Sequence, residues 1–340
     1  MRKTSAIEST RRPGVGSASV LAALPLFRST LAALCLAFAL PQVAHADESE
    51  PRWRVRAAVE GGYTDNVRWA EDGSNKDDAF FTTLDGRVGW RSEWPKYLPS
   101  RLAFRTRARF YENFSNRDWV EIQPELFYDF RRSMIRLRYR YTPERLRLDE
   151  DPDLGNVYAE RNYVSVMGEH KFGDKKKWRA RLEFESEWDE SKKSSASGRD
   201  SYTPFGTAEL RYRLHHLFSP RTSIGYGVRD ADDSNYDRDE LEVMAGFDSN
   251  LFYGMRLRFR YKYLYRDYTV GSETDADGSN SNYDRADDIH QIESSLELPL
   301  KILEGLLLEL HHKYRNSDSD KDSRDFDVNE VRLGVRYEYR

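Results

Sequence analysis

Three runs of cations at every second position are the residues of this chain best suited to binding a ligand. Arg105, Arg107 and Arg109 form the first, Arg136, Arg138 and Arg140 the second, and Arg256, Arg258, Arg260 and Lys262 the third. A guanidinium is planar and always charged, and its fork of donors matches a carboxylate or phosphate two atoms at a time. A spacing of two places each run on one face of an extended strand, because successive side chains of a strand point to opposite sides. Carboxylates recur at related spacing: Glu121, Glu125 and Asp129 between the first two runs, Glu293 and Glu297 after the third. Opposite charges facing each other across strands stabilise by a few tenths to about 1 kcal/mol each. Two roles are therefore open to these arginines, bracing a wall alone, or bracing it while lining a path for an anionic or polyhydroxylated solute. Pairing around 131–134 predicts Asp129 beside Arg136 and Glu125 beside Arg140. Pairing across 113–119 predicts Arg105 beside Asp129 and Arg109 beside Glu125, which leaves Arg107 and Arg138 facing no acid.

Other chemistry has less support. The single cysteine, Cys35, lies in the N-terminal leader, so the chain beyond it has no disulfide and no cysteine-based metal or nucleophile site. His311 and His312 point to opposite faces of a strand, and His215 and His216 sit in a turn, so neither pair is expected to hold a metal. Asp318, Asp320 and Asp322 alternate as at the start of a calcium loop, but Ser323 stands where the turn glycine belongs and Asn329 replaces the closing glutamate. No catalytic constellation, metal or cofactor is expected.

These side chains need strands to position them. The chain has 340 residues, 39% hydrophobic, 33% charged and 13% aromatic, with a formal net charge of −4. Its longest apolar stretch, Leu31 to Leu40, is about half of the ~20 residues a membrane-spanning helix needs. The mean hydropathy of −0.82 is that of a soluble or disordered chain, yet 21 Tyr, 17 Phe and 7 Trp argue against disorder. From Arg52 onward, fourteen segments alternate apolar and polar residues. In one, Ile135, Leu137, Tyr139 and Tyr141 oppose Arg136, Arg138 and Arg140. The apolar faces carry no charge, the polar faces carry a surplus of cations, and the segments run about ten residues, enough for a tilted strand to cross a bilayer. Aromatics such as Tyr63, Trp90, Phe130, Tyr141, Trp178, Trp188, Tyr263, Tyr314 and Tyr339 cluster near segment ends, as in an interfacial girdle, and Trp94 in a turn suits the same belt. Short connections alternate with long acidic ones, among them 142–162, 230–240, 266–288 and 315–327. The pattern predicts a 14-stranded antiparallel transmembrane β-barrel over residues 47–340, with short periplasmic turns and long acidic extracellular loops. A basic leader, the apolar Leu31–Leu40 segment and Ala44-His45-Ala46 predict a secretory signal over residues 1–46.

Gly62-Tyr63-Thr64-Asp65-Asn66-Val67, and more loosely Gly246-Phe247-Asp248-Ser249-Asn250-Leu251, resemble the Gly-Tyr-Asp-x-Asn-Val element of outer-membrane β-barrel porins. That class includes barrels associated with exopolysaccharide export clusters and the barrel of surface-lipoprotein assembly modifiers. Asp288-Ile289-His290, with Asp287 beside it, resembles the Asp-x-His element of omptin surface proteases, which use carboxylates and histidine to activate water. The porin resemblance implies a Gram-negative outer-membrane location and either a solute channel or a sealed barrel acting through its surface loops. The partners expected are outer-membrane lipid, surface glycolipid, the outer-membrane assembly machinery, and a polysaccharide or anionic solute. Nucleic acid is not expected, since the cations line a tunnel too confined for a duplex beneath an acidic exterior.

Overall fold

The computed structural model describes residues 53–66, 77–91, 99–114, 117–146, 158–191, 200–215, 217–232, 236–274, 280–320 and 325–339. The expected signal over 1–46, with Cys35, and the residues Val67, Trp94, His216, Asp322 and Ser323 lie outside the described residues.

Alternating sequence becomes strand throughout. The elements are β1 (Trp53–Thr64), β2 (Ala79–Arg91), β3 (Arg101–Tyr111), β4 (Trp119–Asp129), β5 (Ser133–Leu146), β6 (Tyr158–Phe172) and β7 (Trp178–Ser191). They continue with β8 (Ser201–Tyr212), β9 (Phe218–Ala231), β10 (Arg238–Asn250), β11 (Arg256–Thr274), β12 (Asn280–Pro299), β13 (Leu306–Ser319) and β14 (Phe326–Tyr339). Each pairs antiparallel with its sequence neighbours, and β14 returns to β1 from Val55 opposite Tyr339 to Thr64 opposite Glu330. In lipid no water can satisfy an open strand edge, so a spanning sheet must close on itself. The strands are longer than the alternation implied. The loop expected at 266–288 is largely hairpin, since β11 runs to Thr274 and β12 starts at Asn280.

The register carries one parity around the whole wall. Arg56 lies opposite Arg87, Arg87 opposite Arg105, and Arg105 opposite Gln123, all on the inner face. The outer face displays Leu182, Phe184, Ile224, Tyr226, Leu310 and Leu333 to the surroundings. Among the described residues the outer face becomes acidic only at the extracellular strand ends, where Tyr263 donates to Asp288 and Tyr63 reaches Asp78 at 3.4 Å. The inner face is not uniformly polar. Phe81, Phe127, Tyr163, Met167, Met244 and Ile289 are buried there, and Phe205 lies against Gly225, where a Cβ would come 2.6 Å from its ring.

Both rims are built from local chemistry. On the periplasmic side, Gly254 (φ 76) and Gly305 (φ 81) supply the left-handed backbone that two of the tight turns require. On the extracellular side, one aspartate device recurs. Asp118, Asp200, Asp237 and Asp325 each precede a strand and accept the backbone N–H of Tyr111, Ser191, Ala231 and Ser319, the last residues of the preceding strands, at 2.6–2.7 Å. The Gly62–Asn66 segment works at the closing seam. Asp65 accepts the backbone and side-chain N–H groups of Asn329 at 2.7 and 2.9 Å, and Asn66 donates to the Asp327 carbonyl at 3.0 Å. These bonds latch β1 to β14 at the top, and they commit Asn329 to the seam rather than to a calcium loop.

Candidate functional site

The three cationic runs all face the lumen, each caught in a mesh of carboxylates. Asp85 on β2 collects the first. Arg105 donates to it from Nε at 3.0 Å and Nη2 at 2.5 Å, Arg107 approaches at 3.5 Å, and Arg56 at 3.8 Å. Arg109 reaches past β2 and β1 to grip Glu330 of β14 with two bonds, 2.9 and 3.2 Å, its guanidinium 4.1 Å from the Phe81 ring centre. In the second run, Arg136 and Arg138 converge on Glu183 at 3.1 and 2.9 Å, and Arg138 also donates to Ser165. Arg140 sits between Glu121 (3.8 Å) and Glu187 (3.7 Å), over the ring of Tyr163. In the third, Arg258 binds Glu297 at 2.8 Å and faces Asp248 at 3.7 Å, Arg260 lies 3.9 Å from Glu293, and Lys262 donates to Glu242 at 2.9 Å. Arg256 faces Glu297 in the register and lines a cavity of about 490 Å³ at the periplasmic end. Glu125 pairs with Arg87, and Asp129 takes two bonds from Arg101 at 2.7 and 2.9 Å.

The expected side-by-side pairs do not form. Glu125 lies opposite Arg138 rather than Arg140, and Asp129 opposite Met134 rather than Arg136. Arg105 faces Gln123, Arg107 faces Glu121, and Arg109 faces Trp119. The two arginines expected to face no acid thus have acids directly across from them. The turn after β4 closes one residue early, through the Phe130 N–H to the Ser133 carbonyl at 2.8 Å, which slides β5 by two residues. The stagger that a tilted, closed wall imposes moves β3 against β4 by more. Both slips are even, so every side chain keeps its face while its neighbour changes.

Sequence reasoning missed Asp85, Glu183 and Glu330, which receive five of these arginines, and the further lumenal pairs Arg332–Glu60 and Arg336–Glu309. Their inward parity was visible. Their partners were not, because some pairs skip a strand, such as β5 with β7 and β12 with β14, and the others depend on the stagger between neighbouring strands.

The Asp-x-His element does not converge. Asp288 and His290 point outward, where His290 Nδ1 meets the Tyr261 hydroxyl at 2.7 Å and Tyr263 occupies Asp288. Asp287 points inward and is held by Arg285 at 2.9 and 2.6 Å. The carboxylates stand on opposite sides of the wall, so no water can be shared between them and the imidazole.

No protein-family model matches the chain, and no curated protein matches it. Solved structures do resemble it. OmpT of Vibrio cholerae is 9% identical over 86% of this chain and 99% of its own, with a TM-score of 0.47. The outer membrane channel DcaP of Acinetobacter baumannii is 10% identical over 84% and 96%, with a TM-score of 0.45. The anion-selective porin of Comamonas acidovorans is 9% identical over 84% and 98%, with a TM-score of 0.43. The likeness is one of barrel architecture. With its closed wall, apolar exterior and charged interior, the chain is an outer-membrane β-barrel.

Proposed function

We propose that the barrel is a channel that passes anionic or saccharide-like solutes along its arginine-lined lumen. The observation that carries this reading is the exposure of lumenal guanidinium groups, Arg107 at the middle of β3 and Arg87, Arg258 and Arg260 nearer the periplasmic ends of β2 and β11. Arg87, Arg107, Arg258 and Arg260 point inward yet keep 35–39% of their side-chain surface open. For Arg107, at the middle of β3 inside a closed wall, that surface faces the interior of the barrel. Fourteen strands exceed the ~8 whose interior side chains fill and approach the 16–18 of water-filled porins. Exposed guanidinium groups suit carboxylate, phosphate or sugar hydroxyl groups, which they can engage by forked bonds.

A second reading has its own support. Asp85, Glu125, Glu297 and Glu309 are buried under their arginines, as in a barrel sealed by ion pairs that acts through its loops. Single-channel recording on the purified barrel in planar bilayers, under a salt gradient, separates the two. The channel reading expects discrete conductance with anion preference, reduced several-fold by Arg107→Glu with Arg260→Glu. A silent barrel that nevertheless inserts, or a conductance indifferent to both substitutions, overturns it.

A further inference from the structure

A row of three facing residues near the closing seam has no counterpart elsewhere among the described residues. On β14, Gly334 lies directly opposite Glu60 of β1 on one side and Glu309 of β13 on the other. A side chain at position 334 would occupy the inner surface between the two carboxylates, since a Cβ there would meet Glu60 Cγ at 2.6 Å. Glycine leaves that room to the Glu60 side chain, and a donor atom of Glu60 and one of Glu309 come close together there. His311, two residues along β13, brings its imidazole to the same point. One donor atom from each of the three lies within 4.8 Å of the others.

The hydrogen bonding leaves one atom of each residue directed at this point. Glu60 gives Oε2 to Arg332 at 2.7 Å, and its Oε1 lies 3.9 Å from His311 Nε2. Glu309 gives Oε1 to Arg336, while its Oε2 is buried and makes no hydrogen bond. His311 Nε2 is likewise buried without a hydrogen bond. Glu309 is 1% exposed. A buried carboxylate oxygen without a partner is destabilising, and a cation bound to it would remove that cost.

We infer that Glu60, Glu309 and His311 form a lumenal binding site for a late first-row divalent cation of the zinc type. One imidazole with two carboxylates suits zinc better than magnesium or calcium, which favour all-oxygen shells. The three protein ligands leave a further position open to water or a solute in the lumen. Arg332 and Arg336 fix the two carboxylates from behind, as outer-shell partners do in metal sites. They also add positive charge, as do Arg56 and Arg258 nearby, and Glu297, 3.2 Å from Arg336, offsets part of it. A bound ion would tie β1 to β13 across β14.

The test uses the barrel refolded in detergent and dialysed against Zn²⁺, with bound metal quantified, and Co²⁺ as a spectroscopic probe. The site predicts one tight Zn²⁺ per barrel, a visible ligand-field spectrum with Co²⁺, and no displacement by equal Mg²⁺. His311→Ala should weaken Zn²⁺ binding by about 100-fold, the upper end of what loss of even an outer-shell partner costs. His311→Gln serves if the alanine variant misfolds. His290→Ala, on the outer wall, should leave binding unchanged. Absence of tight binding by the unaltered barrel overturns the inference, and so does equal binding by the folded His311 variants. Neither outcome bears on conductance, so this test is independent of the channel reading.

Discussion

Two lumenal glutamates show how burial sets the worth of an ion pair. Glu309 is 1% exposed under Arg336, whereas the Glu293 side chain is 40% exposed and 3.9 Å from Arg260. Removing one member of a buried pair strands the other charge, at about 3–5 kcal/mol, while a solvated pair contributes about 0.2–1 kcal/mol. Arg336 keeps Glu297 and Glu338 when Glu309 is removed, so Glu309→Ala should lower unfolding stability by about 1–3 kcal/mol and Glu293→Gln by less than 1 kcal/mol, in urea titrations of the folded barrel. At this scale the sequence was only half legible. That Arg107 or Arg138 faces inward follows from its place in an alternating run. That Arg107 meets Asp85 and Arg138 meets Glu183 depends on stagger between strands, which alternation does not encode. The Glu60, Glu309 and His311 cluster was invisible for the same reason, since its ligands come from opposite ends of the chain and meet only when the wall closes. His311 and His312 do face opposite ways, so the partners of His311 lie on other strands and not beside it in the sequence.

The strands themselves were plain in the sequence, and their ends were not. Alternation marks a strand only while one face stays apolar, and near the extracellular rim the outward positions become acidic, as at Glu160, Asp239 and Asp288. Loop boundaries were therefore placed too far inward. The acidity of the loops is partly architecture. An aspartate just before a descending strand accepts the last N–H of the ascending one, at four of the extracellular connections. A charged acceptor on an otherwise unmatched N–H adds on the order of 1 kcal/mol where it is half-buried. Asp237→Ala should cost about that much, with hydrogen exchange at the Ala231 amide rising against unchanged amides in mid-strand. If the Ala231 amide exchanges no faster, the aspartate is a bystander.

The barrel as a whole was the most legible feature, because it rests on a simple asymmetry that every strand repeats: no charge on one side mid-strand, many on the other. That asymmetry has a measurable edge. Leu333 lies mid-strand on the outer face of β14, flanked inside the wall by Arg332 and Gly334. Leu333→Arg should cost about 2–4 kcal/mol for folding into lipid vesicles, the cost of a cation at the bilayer midplane. In a detergent with a thin apolar belt the penalty should shrink. An equal penalty in both would mean that this surface does not meet hydrocarbon.

The seam between β1 and β14 is an ordinary antiparallel pairing, ten residues long and held at its top by Asp65 and Asn66. The finished cylinder consequently has no first or last stave. Translation writes the strands in a line, but the wall reads the same from any starting point, and the place where the polypeptide begins is an accident of linear synthesis. Whatever guides insertion must therefore act on the growing sheet before its two margins meet.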